Sequence, residues 1–473
     1  MPRRSLLLVL VAGGLVATRF AGPEAQVERE NPQNPVASAM LEFTLPLEVY
    51  QVNDLAIDSQ GNLVISGTTY SAGFPTTPDA ARRTCGTEGD AFVMVYSPEG
   101  LLRYSTCVGV ETTELWTEVA APSDGSVWVA TTTSTWVEPR GGCNHCNDTR
   151  VAVWRLVPGL PGSFQYGWLN GAGTQASAAD VAAAPDGSVW IMATARSPGI
   201  QLVNPWQPSF GGASDILLAH YARGRPQLQF STYLGGGGWD TGLSLGIASD
   251  GDAVLTGWSN SLDFPLVRPA LRDSASHRVL MRVDESGRFL EYSTYLSPIE
   301  YSRMAVDRQG NAFIVGHAVE TTPPPPASPG VANRYRDLFL QVVDGAGREC
   351  ACSRVETGLE RIPASDTYAR VFAIAGRPSG SLTVVGSYFT DDLISGSYFV
   401  TVIDPDGTAK RDPLVVGRPV SDAEFVEAAA TRGLEAYVVS HGFVIEPLSR
   451  RVTRLRLHPV LSESEEPLGR HRR

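Results

Sequence analysis

The chain is almost without lysine: Lys410 is the only one, and arginine supplies the rest of its 38 basic residues. We read this as a base-composition bias of the gene rather than a functional device. Acidic residues outnumber basic ones, 50 to 38, for a net charge of −12. That shortage of positive charge argues against nucleic acid or an anionic membrane as the main partner, since both are bound through a basic face. Long apolar runs are scarce too. Leu6 to Ala17 is a run of 12 residues, too short for a spanning helix. No later run approaches the length of about 18 that a membrane span needs, so no stable membrane insertion is expected. Catalytic signatures are also missing. There is no Gly-x-Ser-x-Gly elbow and no His-Glu-x-x-His helix. Gly235 to Gly238 follows a strand pattern but opens no helical one, so a dinucleotide loop is unsupported. No catalytic residue, no metal site and no cofactor is expected.

What is present at the N-terminus reads as an export signal. Arg3 and Arg4 form a basic start, the apolar run follows, and small residues Ala21, Gly22 and Ala25 offer a cleavage site. The alternative is an uncleaved anchor; a twin-arginine signal fits the flanking residues poorly. Residues 1–25 are expected to be a signal peptide, 26–40 a polar disordered leader, and 461–473 a disordered tail. The protein is expected outside the cytoplasm, secreted or at the cell surface or periplasm.

Between these ends one pattern recurs. Leu55 begins LAIDSQGNLVISGTT, Val119 VAAPSDGSVWVATTT, Val181 VAAAPDGSVWIMATA, Leu245 LGIASDGDAVLTGWS and Met304 MAVDRQGNAFIVGHA, with weaker copies from Phe372 and Glu427. Each is an apolar strand, a tight turn with glycine, and a second apolar strand. The turn glycines are Gly61, Gly125, Gly187, Gly251, Gly310, Gly380 and Gly433, spaced by 64, 62, 64, 59, 70 and 53 residues. Glycine suits such turns because they need a positive φ. The neighbouring aspartates (Asp58, Asp124, Asp186, Asp250 and Asp307) can bond the turn backbone. A second hairpin follows in each copy, as in AFVMVYSPEGLLRYSTCVG from Ala91 and VLMRVDESGRFLEYSTYL from Val279. Four antiparallel strands per repeat make a propeller blade. The expected fold is an all-β, seven-bladed β-propeller over residues 41–460. The last copy lacks a fourth strand, and Leu41 to Leu47 resembles one, so this N-terminal strand is expected to complete the last blade.

The string from Gly67 to Pro78 (GTTYSAGFPTTP), then Asp90-Ala-Phe-Val and Tyr104-Ser-Thr, resembles the SBBP repeat of bacterial β-propellers. Phe264-Pro265 with Tyr292-Ser-Thr-Tyr, and Phe230-Ser-Thr-Tyr, repeat parts of it, whereas the second copy lacks Phe-Pro. The resemblance implies an exported propeller of poorly known function and carries no catalytic motif to transfer.

Function must then sit where the repeat varies. The long loops between second and third strands (69–89, 133–150, 196–214, 258–277 and 318–336) differ most, and variable loops on a rigid scaffold commonly bind. Cys85 and Cys107 are expected to approach on that face and form a disulfide. Cys143 and Cys146, with His145 between them, read as a local disulfide, a metal half-site or a redox pair. Cys350 and Cys352 are too close on a straight strand for a relaxed bridge, so either the strand breaks or they stay free. His317 and His441 fall at equivalent positions, shared with Thr68, Thr132, Thr194, Trp258 and Ser387. That ring could face the channel mouth, with His317, His441 and Trp258 binding a ligand there. Trp128 and Trp190 read as packing between blades. The expected protein is a monomeric, non-enzymatic binding or scaffold module for a protein or glycan. The alternatives are a lyase or hydrolase acting at the channel mouth, and a structural surface-layer or matrix component.

Overall fold

Five repeat turns have the backbone that their glycines permit: φ is +78° to +98° at Gly61, Gly125, Gly187, Gly251 and Gly310. The adjacent carboxylates close these turns. Asp58 Oδ1 accepts from the amides of Gln60 and Asn62, Asp124 from Ser126, and Asp186 from Ser188, all at 2.8–2.9 Å. In a computed structural model, the protein is described over residues 37–457, apart from 47, 110–112, 137–146, 226, 271–276, 298, 319–337, 356–366, 377–380, 391–395, 405–413, 417–423, 433–434 and 443–449. The turns at Gly380 and Gly433, the export segment and the tail lie outside the described residues, as do Cys143 and Cys146.

Every regular element among the described residues is a β-strand. The strands form seven four-stranded antiparallel sheets, so the fold is an all-β propeller of four-stranded blades. In the first blade Gln51–Ile57 pairs with Leu63–Thr69, then Asp90–Tyr96, then Leu102–Val108. Five further sheets repeat this order. In the remaining one Glu424–Arg432, Glu435–Gly442 and Arg450–Leu457 are followed by Ala37–Thr44, which pairs antiparallel with Arg450–Leu457. This N-terminal strand begins at Ala37, inside the stretch expected to be a disordered leader. Ladder hydrogen bonds to the C-terminal strand order residues whose composition alone reads as polar coil.

The innermost strands lie side by side: Gln51–Ile57 against Thr113–Ala120, then Ala176–Ala183, Asp240–Ile247, Ile299–Val306, Thr367–Gly376 and Glu424–Arg432, which lies against Gln51–Ile57. The apolar cores sit between successive sheets. Leu63 and Phe92 of the first blade pack with Tyr437 and Val452. Trp128 of the second packs on Tyr221 of the third, and Trp190 stacks on His220 within a core shared with the fourth. The two tryptophans thus fill successive interfaces.

The Phe-Pro and Tyr-Ser-Thr elements pin the first long loop to its blade. Phe74 is buried against Phe92, Ser105 Oγ donates to the Pro75 carbonyl at 2.6 Å, and the Arg82 amide donates to Thr106 Oγ1 at 3.0 Å. The second loop is shorter than expected: its strands run on through Val127–Trp136 and Asn147–Leu156, paired up to Trp136 and Asn147. Around Cys350 and Cys352 the strand Glu349–Val355 is continuous, with a register shift opposite Val342 and Val343.

Candidate functional site

Each innermost strand carries a register shift near its middle, for example between Val52 and Asp54, Ala178 and Asp180, and Gly242 and Ser244. A bulge bends a strand and re-aims the residues around it. In this channel it helps to build a cavity of about 380 Å³ lined by all seven innermost strands. One residue from each strand forms a layer: Asp54, Glu118, Asp180, Ser244, Arg303, Ala373 and Ala429. Their register partners, Ser66, Ala130, Met192, Thr256, Val315, Val385 and Val438, are equivalent in the repeat. Three consecutive blades therefore present carboxylates, and one blade further round presents an arginine.

Two of the carboxylates are held by backbone. Asp54 accepts from its neighbour Leu55 (2.8 Å) and, across to the second blade, from Val119 (2.9 Å). Asp180 accepts from Val181 (2.8 Å) and from Leu245 of the fourth blade (2.6 Å). Glu118, between them, makes no hydrogen bond among the described residues. Burial pushes Asp54 up to about 6, against those amide bonds and the field of Arg303. It pushes Asp180 to about 7, helped by the Asp54 charge. Glu118 rises well above the usual carboxylate range through burial and then through the charges of Asp54 and Asp180. All three keep some accessible surface and Arg303 is exposed, so channel water reaches them and moderates these shifts. Carboxylates coupled in this way titrate together and hold protons near neutral pH. They can exchange protons with a ligand or accept a positive group.

The histidine ring expected at the mouth is built differently. His317 is the penultimate residue of the strand Ala312–Ala318, paired with Glu300, and is 3% exposed. Its equivalents Thr68, Thr132, Thr194 and Ser387 are also buried. Two of them reach the neighbouring blade: Thr132 Oγ1 accepts from the Ala178 amide (2.8 Å) and Thr194 Oγ1 from Gly242 (3.3 Å), whereas Thr68 Oγ1 donates to Asn53 of its own blade (3.4 Å). His441 lies in Glu435–Gly442 opposite Phe425 and Arg450, in a sheet that does not adjoin that of His317. His317 does not line the channel cavity, and the His441 side chain lies outside the described residues. Trp258 is half-buried and leans on His277 at 5.4 Å between ring centroids.

Cys85 and Cys107 form the expected disulfide, with Cα atoms 5.5 Å apart. An Asp90 oxygen lies within 4.8 Å of both sulfurs. Its Oδ2 is engaged by the Gly86 amide (2.6 Å), and the sulfurs are spent on each other.

The exposed large side chains sort by face. At the long-loop end stand Tyr50 and Tyr70, edge to face at 4.8 Å, with Trp116, Trp206, Trp239 and Leu262. Among the described residues, Leu101, Leu160 and Phe289 stand at the hairpin end, and exposed Tyr166 lies on the outer strand Phe164–Trp168 of the second blade, stacked on Trp154. Tyrosine and tryptophan combine a flat apolar ring with a polar tip, the combination that recognition surfaces use.

No family model matches the chain, nor does any curated protein. Solved structures resemble the chain at low identity. An ulvan lyase of polysaccharide lyase family PL25 is 10% identical over 86% of this chain and 95% of its own, with a TM-score of 0.48. A protein of unknown function from Dyadobacter fermentans is 9% identical over 90% and 100%, with a TM-score of 0.43. A GH74 xyloglucanase from Xanthomonas campestris is 10% identical over 85% and 53%, with a TM-score of 0.40.

Sequence reasoning missed the acid layer by one residue. The strings aligned above begin at Leu55, Val119 and Val181, each just after its acid. Counting seven residues back from the turn glycines would have found Asp54, Glu118, Asp180 and Arg303.

Proposed function

We propose that this chain is an exported, non-enzymatic propeller of the SBBP type that binds a glycan or protein through its long-loop face. The proposal includes a seven-bladed ring closed by the N-terminal strand. The seven four-stranded sheets, the pairing of Ala37–Thr44 with Arg450–Leu457, and the contact of Glu424–Arg432 with Gln51–Ile57 support that reading. The buried disulfide fits an oxidising compartment. The observation that carries the binding role is the concentration of exposed tyrosine and tryptophan on one face, which holds all of those among the described residues except Tyr166. Polar side chains stand among them, with Asn260 accepting from the Trp239 amide at 2.7 Å. With a net charge of −12, a neutral glycan suits this face better than a polyanion. The test is binding of the full-length exported protein to a panel of immobilised neutral and acidic polysaccharides. Trp206→Ala with Trp239→Ala should weaken binding at least tenfold, and Leu101→Ala with Phe289→Ala on the opposite face should leave it unchanged. Equal effects from both pairs would sink the reading.

One observation favours a second reading, a lyase or hydrolase working from the channel. Asp54, Glu118 and Asp180 have raised pKa values in one cavity with Arg303, as acid–base catalysis requires. Cleavage of a bound polysaccharide that Glu118→Gln abolishes, with binding intact, would establish it over the first.

A further inference from the structure

The first and third blades build the same joint with the blade that follows, and they differ at one charge. In both, a loop residue clamps the threonine of the fourth strand. Arg82 donates its amide to Thr106 Oγ1 (3.0 Å), and its carbonyl accepts from the Cys107 amide (3.4 Å). Gln207 donates to Thr232 Oγ1 (2.8 Å), and its carbonyl accepts from Tyr233 (3.3 Å). In both, a glycine amide holds the acid that opens the third strand: Gly86 to Asp90 Oδ2 (2.6 Å), and Gly211 to Asp215 Oδ2 (2.8 Å). In both, a second acid stands where the next blade begins, Glu114 or Asp240, its amide bonded to the residue before the first acid. Arg82 and Gln207 are thus structural equivalents.

At the first joint the arginine pairs with the first acid. Arg82 Nη2 is 3.7 Å from Asp90 Oδ2, and Nη1 donates to the Gly109 carbonyl. At the third joint the same place holds a neutral glutamine. Gln207 Nε2 donates to Asp215 Oδ2 (3.2 Å), and its Oε1 accepts from the Gly235 amide (3.2 Å). Asp215 and Asp240 are fully buried and converge on Gly235. A Cβ placed there would lie 2.6 Å from Asp215 Oδ1 and 2.8 Å from Asp240 Oδ2. Asp240 Oδ2 is occupied, by the Gly236 amide and Ser261 Oγ, both at 2.8 Å. Oδ1 of Asp215 and Oδ1 of Asp240 are buried with no hydrogen-bond partner among the described residues. Among those residues, no cationic side chain pairs with either acid.

We propose that a hard cation, calcium in an exported protein, binds between Asp215 and Asp240, in the place that the Arg82 guanidinium fills at the first joint. The donors on offer are all oxygen: Oδ1 of each aspartate, with Gln207 Oε1 beside them. Oxygen-only sites without histidine or thiolate select calcium rather than zinc, and calcium tolerates the irregular geometry that a loop joint supplies. Exposed Asp263, whose Oδ1 accepts from the Gly237 amide at 2.7 Å, adds negative charge on the solvent side. Burial opposes ionisation of both acids: Asp215 is raised to about 6, with the Asp240 charge adding to the effect, and Asp240 is raised too, against bonds from Ser259, Gly236 and Ser261 and with the Asp263 charge adding to it. A divalent ion relieves both effects and links the third blade to the fourth. The four-glycine run serves this joint, bringing backbone against carboxylates where side chains would collide.

The test is thermal unfolding and calorimetric titration of the full chain after chelator treatment. Calcium should raise Tm by several degrees, with half-saturation at roughly 0.1–1 mM, the range of extracellular calcium modules. Gln207→Arg should raise Tm without calcium and abolish both the calcium shift and the binding heat. Asp215→Asn with Asp240→Asn should abolish them too; if that variant fails to fold, Gln207→Arg alone decides. No response of the wild type to calcium overturns the proposal. So does a calcium response that Gln207→Arg leaves intact, or one that magnesium reproduces at the same concentration.

Discussion

The Asp54 carboxylate reaches from the innermost strand of the first blade to the backbone amide of Val119 on the second, 2.9 Å away. Asp180 repeats the contact two blades on, reaching Leu245 at 2.6 Å. These acids are rivets between blades as well as channel walls. Removing one leaves a buried amide unpaired, which costs about 1–3 kcal/mol. Asp54→Ala and Asp180→Ala should therefore each lower unfolding free energy by about that amount in denaturant titrations. A loss confined to ligand binding, with stability unchanged, would contradict the riveting role.

The Glu118 side chain has no such bond, and only the charge of Arg303 offsets its burial. Its pKa is raised above the ordinary 4.5 in the folded protein. Above that pH the folded protein retains a proton that the unfolded chain has released, so stability falls as pH rises through the window. Glu118→Gln removes the penalty. The variant should gain on the wild type as pH rises above 4.5, by a few degrees in Tm, and the two should converge in more acid solution. His220, lowered to about 4 by burial, gives the opposite slope between pH 4 and 6.5, and it cancels because both proteins carry it. A difference in Tm that does not change with pH would refute the account.

The architecture was legible because it is periodic. A turn glycine needs positive φ wherever the copy occurs, so Gly61 and Gly310 announce the same hairpin 249 residues apart. The disulfide was legible because Cys85 and Cys107 fall on segments whose face follows from strand order. The acid layer was not, because the repeat predicts a position and not its chemistry. That position holds Asp54, Glu118, Asp180, Ser244, Arg303, Ala373 and Ala429 in turn. The ring expected at the mouth differs at Thr132 and Thr194, which bond to the next blade, for a related reason. Residues at the end of a second strand can face either the mouth or the next blade, and a bulge in the facing strand helps decide which.

Arg282 gathers charges that the sequence scatters. It is 6% exposed, and Nε donates to Asp252 Oδ2 at 2.8 Å. Its other nitrogens reach Asp250 (2.6 Å) and the Gly345 carbonyl of the fifth blade (3.0 Å). Gly310 makes room for it, since a Cβ there would collide with Nη1. Breaking a buried pair on one side leaves an unmatched charge, and Arg282→Ala should cost about 3 kcal/mol. Arg282→Lys should recover part of this, because an ammonium cannot fork between partners. Asp250→Asn should cost little, as the Asp250 side chain is 55% exposed. Equal losses from Asp250→Asn and Asp252→Asn would show that burial is not what sets the scale.

The Cys85–Cys107 bridge closes a segment of sequence separation 22 that holds the first long loop to its own blade. By chain entropy it stabilises by about 3 kcal/mol. Both cysteines are buried, at 6% and 0% exposure, so a reductant has access only after the loop opens. Two results follow for protein handled without prior unfolding. Mild reductant should leave Tm unchanged over hours, whereas Cys85→Ser with Cys107→Ser should lower it. The loop carries Tyr70, one of the exposed aromatics on the proposed binding face. The same double variant should therefore weaken glycan or protein binding more than its loss of stability explains, because the loop then keeps its Phe74 packing and its hydrogen bonds but loses its covalent tie to the fourth strand. Binding measured well below Tm separates the two effects. Full affinity in the double variant would place the recognition surface away from the first blade.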